Sequence, residues 1–225
     1  DLNSQERTLD ALTELFSDLN ENDIFYGLWR RHCTYIETNI ALSFEQSSMW
    51  SQAQTMYENA QIKARNGVLP FTESEYMLWE NNWISCTERL QQWDVLADLA
   101  KYDNDTKLLL DCAWRLSNWA SDRETLEQAV TQAADHPTPE LKVYEAFLVL
   151  MRSQAAEDRG SEFTRICEEG IQLSLKKWCA LPQIVSHSHI PLLQLYQQFL
   201  ELHEASQLFV SLGNTNAQNL EQRST

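Results

Sequence analysis

Five of the chain's eight tryptophans, Trp79, Trp83, Trp93, Trp114 and Trp119, fall within one stretch. No single surface helix accommodates so many large rings. Two of them recur in the same setting, Leu90-Gln91-Gln92-Trp93 and Leu116-Ser117-Asn118-Trp119, each closing one helical pattern and opening the next. A large ring at a helix–helix junction buries about 150–250 Å² and fixes the angle at which the helices meet. The stretch therefore predicts joints between consecutive helical hairpins, in a chain that acts through a shaped surface.

The rest of the composition fits that reading. With five glycines and five prolines among 225 residues, breakers are scarce, which predicts long helices and few hairpin turns. Apolar periodicity of three and four recurs throughout, and no strand is required. The pattern predicts an all-α fold, an α-solenoid of tetratricopeptide-like hairpins with about eleven helices. Residues 1–213 read as a single helical-repeat segment and 214–225 as a polar tail. Without an initiator Met at its start, the chain is expected to be a piece of a larger protein, with a sticky helical face at each end.

Local signals mark the units. Leu9, Leu12, Phe16 and Leu19 share one helical face, and Asp23 is expected to cap the next helix, which carries Phe25, Leu28 and His32 inward. Thr34 with Glu37, and Thr72 with Glu75, fit capping boxes, and Phe71 with Tyr76 fits a hydrophobic staple. Ala41, Phe44, Ala53, Tyr57 and Ala60 occupy the small and aromatic positions of a tetratricopeptide-type hairpin, where alanines let two backbones approach and rings fill the space beside them. Tyr76, Trp79, Trp83, Cys86 and Leu90 form one seam. Asp103-Asn104-Asp105 is a break, Thr138 a cap with Pro139 at the first helical position, and residues 155–160 a polar loop.

Composition also excludes functions. Lys and Arg number 17 against 33 Asp and Glu, a formal net charge of −16, which argues against direct nucleic-acid binding. No run of 18 apolar residues suggests a membrane span. Cys33, Cys86, Cys112, Cys167 and Cys179 lack metal-site spacing and read as buried, reduced thiols of an intracellular protein. His187 and His189 have no third ligand nearby, so they read as part of the turn before Pro191 and not as a metal site. Asp103 with Asp105, and Asp122 with Glu124, sit where helix dipoles favour negative charge. Gly-rich phosphate loops, nucleophile elbows and zinc-protease motifs are missing, and no cofactor is expected.

The phrases Gly27-Leu28-Trp29, Leu78-Trp79-Glu80, Gln92-Trp93, Cys112-Ala113-Trp114-Arg115 with Ser117-Asn118-Trp119, and Val185-Ser186-His187 with His189 and Pro191 appear in this order. Together with residues 41–60 they resemble the FAT region of the transformation/transcription domain-associated protein family, the pseudokinase members of the phosphatidylinositol-3-kinase-related group. The resemblance runs from about Asp23 to Gln207. It implies a non-catalytic, nuclear scaffold segment in a helical collar around a pseudokinase domain of the same chain. Its implied partners are that domain and other subunits of SAGA- and NuA4-type histone acetyltransferase complexes. Two alternatives are the FAT region of a catalytically active kinase of this group and a stand-alone helical-repeat adaptor binding a peptide.

Overall fold

The computed structural model describes residues 2–116, 123–152 and 156–213. Among these the chain forms eleven α-helices and two short 3-10 turns, with no strand. They fall into two compact units, residues 1–117 and 118–225.

The first unit holds α1 (Leu2–Asp18), α2 (Asn22–His32), α3 (Ile36–Gln46), α4 (Trp50–Arg65), α5 (Glu73–Arg89), α6 (Trp93–Asp103) and α7 (Thr106–Leu116). Each helix packs on its neighbour in sequence, and α3 also touches α5. This is the hairpin stacking that the 3.6-residue periodicity dictates, because each amphipathic face needs a helical partner to bury against. The expected face of Leu9, Leu12 and Phe16 in α1, with Leu19 in the turn after it, is half-buried, and His32 of α2 reaches Asp10 at 2.9 Å.

The helices here are only 11–17 residues long, shorter than the scarcity of glycine suggests. Their turns use left-handed residues other than glycine: Asn20, Ser48, Gln91 and Asn104 have φ of 55–57°, and only Gly67 is a glycine in that region. Asn visits this conformation at low cost, and a single such residue after a helix suffices to reverse the chain. Counting glycines therefore underestimates the turns.

Several local expectations hold. Thr72 Oγ1 accepts from the Glu75 backbone N–H at 3.3 Å, the first half of the expected capping box, though the Glu75 carboxylate does not return the bond. The Phe71 and Tyr76 rings meet with centroids 5.0 Å apart. Asp105 caps α7 by accepting from Leu108 N–H at 3.1 Å, whereas Asp103, also expected at a helix start, is the last residue of α6, where the dipole disfavours its charge. Others do not. Asp23 lies inside the first turn of α2, whose N-cap is Glu21 and makes no side-chain capping bond. Asp23 still suits the helix dipole there. The Thr34–Glu37 box is absent as well: α3 begins after Tyr35 without a local side-chain cap, and Glu37 pairs instead with Lys63 at 3.0 Å.

The second unit holds α8 (Arg123–Gln132), α9 (Pro139–Leu150), α10 (Ala156–Ala180) and α11 (Ile190–Gly213). A 3-10 turn at Ala133–Asp135 extends α8, and another at His187–His189 precedes α11. α9 is the central element, packing on α8, α10 and α11, and it is mostly apolar for that reason, its charged residues being Glu140, Lys142 and Glu145. Thr138 caps it, accepting from Leu141 N–H at 3.1 Å, with Pro139 in the first turn. The expected polar loop at 155–160 is helix from Ala156 onward. A polar first turn looks like loop in sequence, but here it is the start of a 25-residue helix.

Gly170 in α10 marks a close crossing. A Cβ there would fall 2.9 Å from Lys142 Cβ of α9 and within overlap of the Phe199 ring of α11. Only a hydrogen lets the three helices converge. Trp119, Asp122 and the tail 214–225 lie outside the described residues.

Candidate functional site

The most distinctive chemistry lies in the core of the first unit, where α2, α3, α4 and α5 are joined by buried polar groups. Along α5, Glu75, Leu78, Trp79, Asn82 and Cys86 share one buried face. Two polar residues on an apolar stripe require partners, since an unpaired buried polar group costs about 1–3 kcal/mol.

Glu75, 1% exposed, finds its partners on α3. Its carboxylate accepts from Thr34 N–H at 3.0 Å, Tyr35 N–H at 3.3 Å and the Thr38 hydroxyl at 2.8 Å. Those amides are free donors at the start of α3, where the helix dipole also favours a negative charge. The Trp79 indole N–H in turn donates to Thr38 Oγ1 at 2.8 Å. Glu75 therefore supplies, from another helix, the cap that Thr34 and Glu37 do not make.

Asn82 leads to a second buried carboxylate, Glu45, in the last turn of α3. Glu45 accepts from Tyr26 Oη at 2.9 Å, Tyr57 Oη at 2.6 Å and Asn82 Nδ2 at 2.9 Å. Donors from α2, α4 and α5 converge on this one α3 side chain. Burial, then the neighbouring Glu45 charge, pushes both phenols above their ordinary range. The same two causes raise the Cys86 thiol to about 12. These shifts keep the phenols and thiol protonated, so each phenol serves Glu45 as a donor.

The residues singled out in the sequence are distributed around this network. Ala41, Ala53, Tyr57, Ala60 and Trp79 are buried in one cluster, with Phe44 and Trp83 packed at its edge. Trp79 is fully buried. Trp93 sits at the start of α6 with the Arg115 guanidinium 5.4 Å from its ring centre, a cation–π contact between α6 and α7. Trp83 and Trp93 pack against a second cluster centred on Leu96, Ala100 and Cys112. Trp114 is half-buried on α7.

Sequence reading missed Tyr26, Thr38, Glu45, Glu75 as a long-range ligand, and Asn82. A signal was available: polar residues inside otherwise apolar stripes, as at Glu75 and Asn82 between Leu78, Trp79 and Cys86.

Of the five thiols, Cys86 and Cys112 are buried, but Cys33 and Cys167 are half-buried and Cys179 is exposed. The expectation of five buried thiols fails there: Cys33 follows the end of α2 and Cys179 lies in the last turn of α10. Among the described residues, no group of three or more His, Cys, Asp or Glu side chains is placed to hold a metal. His189 closes its turn, accepting from Ser186 N–H at 3.1 Å and packing edge-on against Trp178 with centroids 4.7 Å apart. No described helix is long and apolar enough to cross a membrane.

Comparison with known proteins locates this architecture. A family model described as the FAT domain matches residues 106–225. The chain is 49% identical over 216 residues to the SAGA complex/NuA4 acetyltransferase complex subunit Tra1 of Schizosaccharomyces pombe, 96% of this chain and 6% of that protein. Identity to the Saccharomyces cerevisiae subunit of the same description is 49% over 218 residues, 97% of this chain and 6% of that one. The Homo sapiens transformation/transcription domain-associated protein is 38% identical over 219 residues, 94% of this chain and 6% of that protein.

Proposed function

The chain belongs to the FAT-domain family, and from that premise we propose that it is a non-catalytic scaffold segment of a transcription coactivator subunit of SAGA/NuA4 type. In this reading it forms part of a helical collar around a pseudokinase domain of the same polypeptide, in the nucleus, and its partners are that domain and other subunits of the complex. The tryptophans and the alanine-lined hairpin set the angles of the collar. The chain spans about 6% of the length of the relatives it matches, so the activity of the whole protein belongs to this proposal too.

The observation that carries the reading is the convergence of α2, α4 and α5 on Glu45, together with the capping of α3 by Glu75. Buried polar groups with several required partners specify one geometry more strictly than apolar packing alone. Fixed geometry is what a scaffold needs. An acidic surface of net charge −16 suits contact with proteins and disfavours direct binding to nucleic acid.

The test is replacement of the matching segment of the S. pombe Tra1 by this chain, followed by purification of SAGA and NuA4. Assembly of both complexes with their usual subunits supports the proposal. A replaced protein that accumulates but enters neither complex overturns it.

A further inference from the structure

Asn66 ends α4 and Gly67 begins its connection to α5, and of the chain's asparagines only Asn66 is followed by glycine. Both residues are exposed, as are Arg65 and Val68 on either side. Among the described residues the Asn66 carboxamide has no hydrogen-bond partner, so it is free to turn toward its own backbone. Gly67 has no Cβ to shield its amide nitrogen.

These two groups can react with each other. The Gly67 nitrogen, once its proton has gone to a solvent base, attacks Asn66 Cγ; a C–N bond forms, the carboxamide C–N bond breaks, and ammonia leaves. Water then opens the resulting succinimide at either carbonyl. One product is an ordinary aspartate, and the other is an isoaspartate, in which the main chain runs through Cβ and Cγ and the α-carboxylate is left free.

The folded turn opposes the first step in two ways. Gly67 N–H donates to Ala64 O at 3.0 Å, which holds the proton in place. Asn66 has ψ 2°, so the Gly67 nitrogen eclipses the Asn66 nitrogen and points away from Cβ. Reaction requires the turn to open, breaking that bond and letting Asn66 rotate about Cα–C.

We propose that Asn66 is a site of spontaneous isoaspartate formation whose rate is set by opening of the α4–α5 turn. Once formed, the isoaspartate keeps the turn from closing as before. The turn is held by the Gly67 bond and by Val68 and Leu69 N–H donating to Lys63 O at 2.9 and 3.1 Å, with Gly67 at φ 68°. An extra methylene in the main chain between these donors and acceptors breaks their register. The new carboxylate also falls at the C-terminus of α4, where the helix dipole disfavours it. The modified chain therefore has a looser joint between the two helices that bring Tyr57 and Asn82 to Glu45. The lifetime of this hairpin is a property apart from the scaffold role.

The test incubates the intact chain and a peptide of residues 60–71 at neutral pH and follows the amide-to-acid mass gain by peptide mapping. Isoaspartate is counted with an isoaspartate-specific carboxyl methyltransferase, which moves the methyl group of S-adenosylmethionine onto the free carboxylate. Hydrogen exchange gives the protection factor of the Gly67 amide in the same chain. One amide must open and lose its proton in both reactions, so the folded chain should convert more slowly than the peptide by that factor, roughly tenfold for the loss of one or two hydrogen bonds. Asn66→Gln should abolish the conversion, because the longer side chain closes its ring far more slowly. The isoaspartate form, separated by charge, should unfold at a lower urea midpoint than the unaged chain, while Asn66→Gln aged in parallel keeps its midpoint. A folded chain that converts as fast as the peptide, or not at all over the time the protection factor sets, overturns the proposal. So does isoaspartate arising first at another residue, or a midpoint that the modification leaves unchanged.

Discussion

The Glu75 carboxylate on α5 accepts the Thr38 hydroxyl of α3 at 2.8 Å, a bond fully out of water that also orients Thr38 Oγ1 toward the Trp79 indole. Glu75→Ala strands this hydroxyl and the Thr34 and Tyr35 amides, and the expected cost is about 3–5 kcal/mol. Urea titration reads it as a lowered midpoint. Glu75→Gln keeps an acceptor but turns an amide toward donors, and should fall between wild type and Glu75→Ala. A Glu75→Ala midpoint equal to wild type removes the long-range cap from the account.

Trp79→Ala is expected to cost about 3–5 kcal/mol, the range for a large core aromatic. Trp83→Ala should cost less, because Trp83 is half-buried and its indole N–H has no acceptor to lose. Paired denaturation curves rank the two, and the reverse order contradicts the burial assigned to these rings.

Alkaline stability follows from the raised thiol and phenols. Cys86 moves from its ordinary 9.0 to about 12 through burial and the Glu45 charge, and Tyr26 and Tyr57 move in the same direction. A group whose folded pKa is raised stabilises fully below its unfolded pKa and loses that contribution as pH rises toward the folded value. The urea midpoint should therefore be flat near neutrality and fall from pH 9 toward pH 12. Cys86→Ala should make the fall shallower. A midpoint that rises over this interval contradicts the sign.

Gly170→Ala places a methyl group against Phe199 and Lys142. Helix propensity alone favours alanine by about 1 kcal/mol, yet overpacking at a three-helix crossing costs about 1–3 kcal/mol. The net effect is expected to be destabilising, with partial recovery when Phe199→Leu is added. A thermal midpoint raised by Gly170→Ala alone shows that the crossing has room.

Features set by near neighbours were legible in the sequence. The Thr72 cap, the Phe71–Tyr76 staple and the Thr138–Pro139 start depend on residues a few positions apart, so spacing reveals them. The burial of Ala41, Ala53, Tyr57 and Ala60 follows from their three- and four-residue spacing within each helix. Glu75 illustrates what was not. It matches a local capping box with Thr72, but its carboxylate serves α3 instead, because three donors there lack any other partner. Glu45 was hidden further still: its ligands Tyr26, Tyr57 and Asn82 come from three helices, and no spacing rule connects them. The start of α10 was misread because a polar first turn carries the composition of a loop.

The Glu75 cap also bears on the order in which the chain matures as it leaves the ribosome. α3 and α4 are synthesised before the residue that completes α3, and the donor Asn82 follows later still. Until α5 has emerged, α3 has open amides at one end and a carboxylate at the other that lacks one of its three ligands. The N-terminal hairpins therefore wait in an unfinished state, and the arrival of α5 closes both ends of α3 at once.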